Sequence, residues 1–120
     1  MSNEVHVEIL SEAWMKEGNN YMNIDSKYKT FFPDDCFIAR GTGRENKDLL
    51  SERGIWLQYE GAIDAVQCFM ELRSGGKFRP SNRGAIKDFY SSTKAQVGDK
   101  IVFEKKSDRI YGVKMAKCDE

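Results

Sequence analysis

At 120 residues the chain has the length of one domain, and its 40% hydrophobic content, with two Trp, five Tyr and seven Phe, is enough to build a core and excludes disorder. Lys plus Arg and Asp plus Glu number 19 each, so net charge attracts no polyanion, and any such binding must arise from local charge separation. No stretch approaches the ~20 apolar residues that span a bilayer, which excludes a membrane-spanning helix.

Met1-Ser2-Asn3-Glu4 is polar and acidic, without the basic and apolar regions of a signal peptide. Cys36, Cys68 and Cys118 are odd in number and widely spaced, matching neither a disulfide framework nor zinc-ligand spacing. Free thiols in a reducing cytoplasm are the expectation.

In chain order, Val5 to Ile9 alternates apolar and polar side chains, the mark of a half-buried strand. Glu17-Gly18-Asn19-Asn20 is a reversal, because Gly and Asn tolerate positive φ. Tyr21 to Ile24 reads as the next strand, and Phe31-Phe32-Pro33-Asp34-Asp35 as an apolar pair with a stop. Gly41 to Ser51 is polar and glycine-bearing, a surface loop.

Ile55 to Tyr59 is rich in β-favouring side chains and predicts a strand, as does Val66 to Leu72, broken by Ser74-Gly75-Gly76. Gly84 to Tyr90, with Ile86 and Phe89 three apart, predicts a short helix. Ile101 to Glu104 and Arg109 to Met115, turning at Ser107-Asp108, predict a terminal hairpin. The sum is a single, mainly β domain over 1–120, with six or seven short strands and one or two short helices, as a barrel or half-barrel.

Leu72 to Lys87 is read as a basic loop. It carries Arg73, Lys77, Arg79, Arg83 and Lys87 and no acid, the clearest asymmetry in a neutral chain. Arginine forks match phosphate or the guanine edge, Asn82 matches adenine, and Ser74, Ser81 and glycine amides donate to phosphate. Asn82 and Arg83 precede the predicted helix, whose first amides attract an anion.

The remaining constellations favour structure over chemistry. His6 is the single histidine and lies on a predicted strand. Asp34-Asp35 reads as a turn cap and Asp99, after Gly98, as a turn residue. Trp14, Trp56, Tyr59 and Phe103 are expected in the core. No nucleophile motif, zinc set or dinucleotide fingerprint is present, so neither catalysis nor a metal or other cofactor is expected.

The run from the strand at Val66 to Leu72, through Arg79 and Asn82-Arg83, the helix at Ala85 to Tyr90 and Val97-Gly98-Asp99-Lys100-Ile101-Val102-Phe103, to the Tyr111 strand, resembles B3-like DNA-binding domains. Ile9-Leu10-Ser11, Ile24 and Phe31-Phe32-Pro33 are similar to the family's first two strands and their connector. The restriction-endonuclease effector branch is the nearer likeness.

The resemblance implies a seven-stranded open barrel, or pseudobarrel, that grips the major groove of double-stranded DNA with two arms. Leu72 to Lys87 matches the second arm, with Arg73, Lys77, Arg79, Asn82 and Arg83. Ser11 to Asn23 matches the first, with Lys16, Asn19, Asn20 and Asn23, and also holds Glu12 and Glu17. The chain has no nuclease domain, so any cleavage belongs to a separate polypeptide. Two rivals stand beside this reading: a PUA-like barrel binding RNA or a modified base in a pocket lined by Trp14 or Trp56, and a protein-interaction domain whose basic loop meets an acidic partner.

Overall fold

A computed structural model of the chain describes residues 3–117; Met1, Ser2 and Cys118 lie outside the described residues. The first strand, β1 (Glu4–Glu8), follows the alternation of its sequence: Val5 and Val7 are buried, while His6 and Glu8 face out. β2 (Phe37–Ile38), β3 (Ile55–Tyr59), β4 (Val66–Cys68), β5 (Met70–Leu72), β6 (Phe78–Pro80), β7 (Lys100–Ser107) and β8 (Ile110–Ala116) follow, with helices α1 (Leu50–Arg53) and α2 (Arg83–Thr93). The molecule is mainly β, and its described strands form two sheets rather than a closed barrel.

The larger sheet has the order β1-β7-β8-β3-β4 and is antiparallel except for the β3–β8 pair. Its centre is the expected terminal hairpin, paired from Lys100↔Ala116 to Ser107↔Ile110. The smaller sheet, β2-β5-β6, pairs β2 with β5 in parallel and β5 with β6 antiparallel.

The strand expected over Val66 to Leu72 is two strands, one in each sheet. The break falls at Phe69, whose amide donates to the Ser81 hydroxyl (3.0 Å) while its carbonyl accepts from the Ser81 amide (2.9 Å). Those two bonds replace the ladder at the crossing, so no buried peptide group is left unpaired there.

The basic stretch from Leu72 to Lys87 is also folded rather than a loop. Gly75 and Gly76, at φ 76° and 78°, turn the chain left-handed between β5 and β6, a conformation that costs glycine little. The Arg73 amide closes that turn on the Lys77 carbonyl (2.8 Å). After β6, Asn82 caps α2 by accepting from the Ala85 amide (3.1 Å), which sets the helix start one residue ahead of the expected Gly84. Ile86, Phe89 and Tyr90 form the buried stripe of that helix.

Tyr21 to Ile24 contributes a single bridge, Ile24↔Phe78, instead of a full strand. The segment at Phe31 runs from the end of one 3-10 turn, Ser26–Phe31, into a second, Asp34–Cys36. The polar stretch from Gly41 ends in a turn at Lys47–Leu49 and then α1.

The core lies between the sheets and is centred on Phe32. Its ring meets Phe78 of the small sheet (5.7 Å) and Phe103 (5.7 Å) and Tyr111 (4.9 Å) of the large one. Tilted and edge-on ring pairs of this kind add about 0.5–1.5 kcal/mol each beyond area burial. Tyr111 is also tied by its hydroxyl to the Phe31 carbonyl (2.9 Å). Cys36 and Cys68 are buried free thiols whose pKa burial pushes up to about 12, which leaves them protonated. Asp99 is buried and accepts from the Gln96 amide (3.0 Å) and Lys117 Nζ (2.5 Å), so its turn is held from both sides.

Candidate nucleic-acid interface

β5 and β6, the start of α2, the Arg40-Gly41 corner and the turn at Gly18–Asn20 surround a concavity of about 410 Å³. Arg40, Arg73, Arg79 and Arg83 line it, with Glu71 as the single carboxylate. Residues more than 50 positions apart therefore build one surface, and local hydrogen bonds explain why.

Gly18 and Asn20 adopt positive φ (89° and 46°), as the reversal expected at Glu17-Gly18-Asn19-Asn20 requires. The turn is closed by the Asn19 amide on the Lys16 carbonyl (2.8 Å) and by Asn19 Nδ2 on the Ala13 carbonyl (3.0 Å). The carbonyls of Gly18 and Asn19 then face α2. Arg83 donates to both, through Nη2 to Gly18 and through Nε to Asn19 (3.0 Å). Tyr90 of the same helix donates its hydroxyl to the Tyr21 carbonyl (2.7 Å), so α2 holds the segment at two points.

Arg79 projects from β6 and is half-buried. Its Nε donates to Asn23 Oδ1 (2.6 Å), and its guanidinium carbon stands 3.8 Å from the centre of the Tyr21 ring. Burial, then the neighbouring Arg73 charge, lowers its pKa from the ordinary value; a guanidinium nonetheless stays charged in proteins. Arg73 is paired to Glu71 (2.6 Å), and among the described residues its buried Nε has no hydrogen-bond partner. The second oxygen of Glu71 accepts from the Gly41 amide (3.2 Å), which brings the Arg40-Gly41 corner to the rim.

Of the expected site residues, Arg73, Arg79, Arg83 and Asn19 line the concavity, and Asn23 orients one of its arginines. Asn20 stands in the turn beside them and Lys16 is exposed at its start. Lys77 lies elsewhere, on a separate depression with Asp25 and Tyr28. Asn82 uses its side-chain oxygen as the helix cap and lines a different cleft, with Asp64 and Asp88. Tyr21, Arg40 and Glu71 were not expected. Arg40 sits one residue ahead of the loop assigned from Gly41, where a cation beside a glycine was the available signal.

The other weighed residues have structural roles. His6 lies on the outer side of β1, 3.6 Å from Glu4. Asp35 is not a turn cap but an ion-pair partner: both its oxygens accept from Arg109 Nη2 at 2.8 Å. That hydrogen bond is the main reason its pKa lies below the ordinary value. Trp14, Tyr59 and Phe103 are in the core, whereas Trp56 is 40% exposed on the outer side of β3. Among the described residues no group of three or more His, Cys, Asp or Glu is placed to hold a metal ion, and no helix is long and apolar enough to cross a membrane.

No protein-family model matches the chain, and no curated protein matches its sequence. Among solved structures, that of the hypothetical Arabidopsis thaliana protein At1g16640.1 is similar, with a TM-score of 0.55 at 14% identity. The match covers 99% of this chain and 97% of that one, so the likeness is one of whole-domain fold.

Proposed function

We propose that the chain is a B3-like pseudobarrel domain that binds double-stranded DNA with sequence preference, non-catalytically and without a cofactor. Its arms are the segments 11–23 and 72–87, which grip the major groove from the concavity between them. The observation that carries this reading is the meeting of those two distant segments at one arginine-lined surface. In a chain whose charges balance, four guanidinium groups around one carboxylate create the local positive field that phosphates require.

The concavity offers guanidinium forks for phosphate or base edges, which suits a duplex. Reading a flipped or single-stranded base would call for exposed aromatic faces. Trp14 is buried and the Tyr21 ring is already covered by Arg79, while the exposed Trp56 does not line the concavity. Cytoplasmic location and cooperation with a separate nuclease or another protein extend the same proposal.

Binding of the full chain to a pool of random duplexes, followed across a salt series, tests it. Affinity is expected to fall with salt, with a log–log slope of about −0.9 per phosphate neutralised. Arg79→Ala with Arg83→Ala weakens that binding. A wild-type chain that ignores duplex DNA at low salt, or a double variant that binds as well as wild type, ends the proposal.

A further inference from the structure

Resting on the DNA reading above, we infer that Arg79 is the base-reading arginine of the interface, addressing the guanine edge of one base pair, while Arg83 is a positioning residue that ties the two arms together. The two side chains are chemically identical and their positions are four apart, but their hydrogen bonds divide the roles.

Arg79 is oriented without being used up. The Tyr21 ring fixes the plane of its guanidinium, and Asn23 Oδ1 engages Nε. Among the described residues neither terminal nitrogen has a hydrogen-bond partner, which leaves a parallel pair of donors, the geometry that matches O6 and N7 of guanine. A phosphate contact has no need of such restraint, because a flexible, solvated cation serves it well. Glu71, the register partner of Arg79 across β5–β6, adds a second reason. Its carboxylate stands opposite Arg79 and disfavours a phosphate on that one guanidinium, whereas a neutral base edge is tolerated and the surrounding arginines keep the concavity positive.

Arg83 is spent on the fold. Its Nε and Nη2 end on the Asn19 and Gly18 carbonyls, so one edge of the fork is consumed by the opposite arm. Its part in recognition is to hold Asn19 and Tyr21 where Arg79 and the groove need them.

Charge-conserving substitutions separate these roles. Sequence preference is read by selection from a random duplex library, and affinity by titration of a non-specific duplex. Arg79→Lys keeps the charge and loses the fork, so preference for guanine at one position falls roughly 5- to 150-fold, the equivalent of about 1–3 kcal/mol. Non-specific affinity and its salt slope change much less than that preference, because the charge is kept. Asn23→Ala gives a smaller loss of the same preference, and amide chemical shifts of the Gly18–Asn20 turn confirm that the arm stays in place.

Selected sites without a guanine whose preference depends on Arg79 overturn the assignment. So does an Arg79→Lys variant with wild-type preference, or an Arg79→Ala variant whose only change is a salt slope lower by about one. In each of these outcomes the wild type still binds duplex DNA, so the broader proposal survives; failure of wild-type binding removes both.

Discussion

Two arginine clusters occupy this small domain, and they differ in where their donors end. Near α1, Arg53 donates to the carbonyls of Asp35 (2.7 Å) and Phe37 (3.4 Å), and Arg109 donates to the Arg53 carbonyl (3.1 Å) and to both oxygens of Asp35. That cluster ties the entry to β2, the helix α1 and the start of β8 to one another. Around the concavity, by contrast, Arg83 alone is spent on backbone carbonyls; among the described residues Arg79 commits only Nε, Arg73 shares one carboxylate, and Arg40 makes no hydrogen bond or ion pair. Both clusters are rich in guanidinium, so a count of cations does not separate them. Whether the fold has already supplied their acceptors does.

The largest expected effect that would break the comparison concerns binding. Arg40→Ala with Arg73→Ala should lower affinity for any duplex by roughly 10- to 100-fold near 0.1 M salt and reduce the salt slope by about two. Arg53→Ala with Arg109→Ala should leave it within twofold in the same titration. If the second pair loses as much as the first, the clusters are not different in kind.

Stability should respond in the opposite sense. Urea denaturation of Arg53→Ala is expected to show a loss of about 1.5–3 kcal/mol, since two hydrogen bonds from a charged, half-buried group disappear. Arg40→Ala, with no partner to lose, should stay within about 0.5 kcal/mol of wild type.

The smallest effect sharpens the comparison through pH. The Arg109 hydrogen bond holds the Asp35 pKa below its ordinary 3.8, so the ionised pair favours the fold above that pH. As pH falls through the lowered folded-state value, the contribution disappears. The pair is exposed, at 36% for Arg109 and 47% for Asp35, and water screening limits it to about 0.2–1 kcal/mol. Melting curves of wild type and Asp35→Asn should therefore diverge above pH 4 and converge in stronger acid; a constant difference would show that the charge is irrelevant.

Much of the fold was readable where local pattern and local geometry coincide. The alternation at Val5 to Ile9, the aromatic and β-branched run at Ile55 to Tyr59 and the hairpin around Ser107-Asp108 became β1, β3 and β7–β8. The Gly18-Asn19-Asn20 reversal has the positive φ values that its residues suggested. The crossing at Phe69 was not readable, because what interrupts that strand is Ser81, twelve residues on. Trp56 was expected in the core, yet the pleat that buries Ile55 and Leu57 turns it outward.

The candidate site divides in the same way. The excess of Arg and Lys between Leu72 and Lys87 is a property of the chain itself, as is the neutrality against which it stands out. Composition and short-period spacing also determined the β-rich class, the glycine turns and the start of α2 within a residue, because these depend on φ preferences and on contacts a few positions away. Only the tertiary structure decided which of the basic residues remain available. Arg83 reaches an acceptor 64 residues back and Arg79 one 56 residues back, while Asn82 is consumed by its own helix and Lys77 faces another depression. A donor's fate depends on the acceptor that folding brings beside it, and no window of neighbouring residues contains that acceptor.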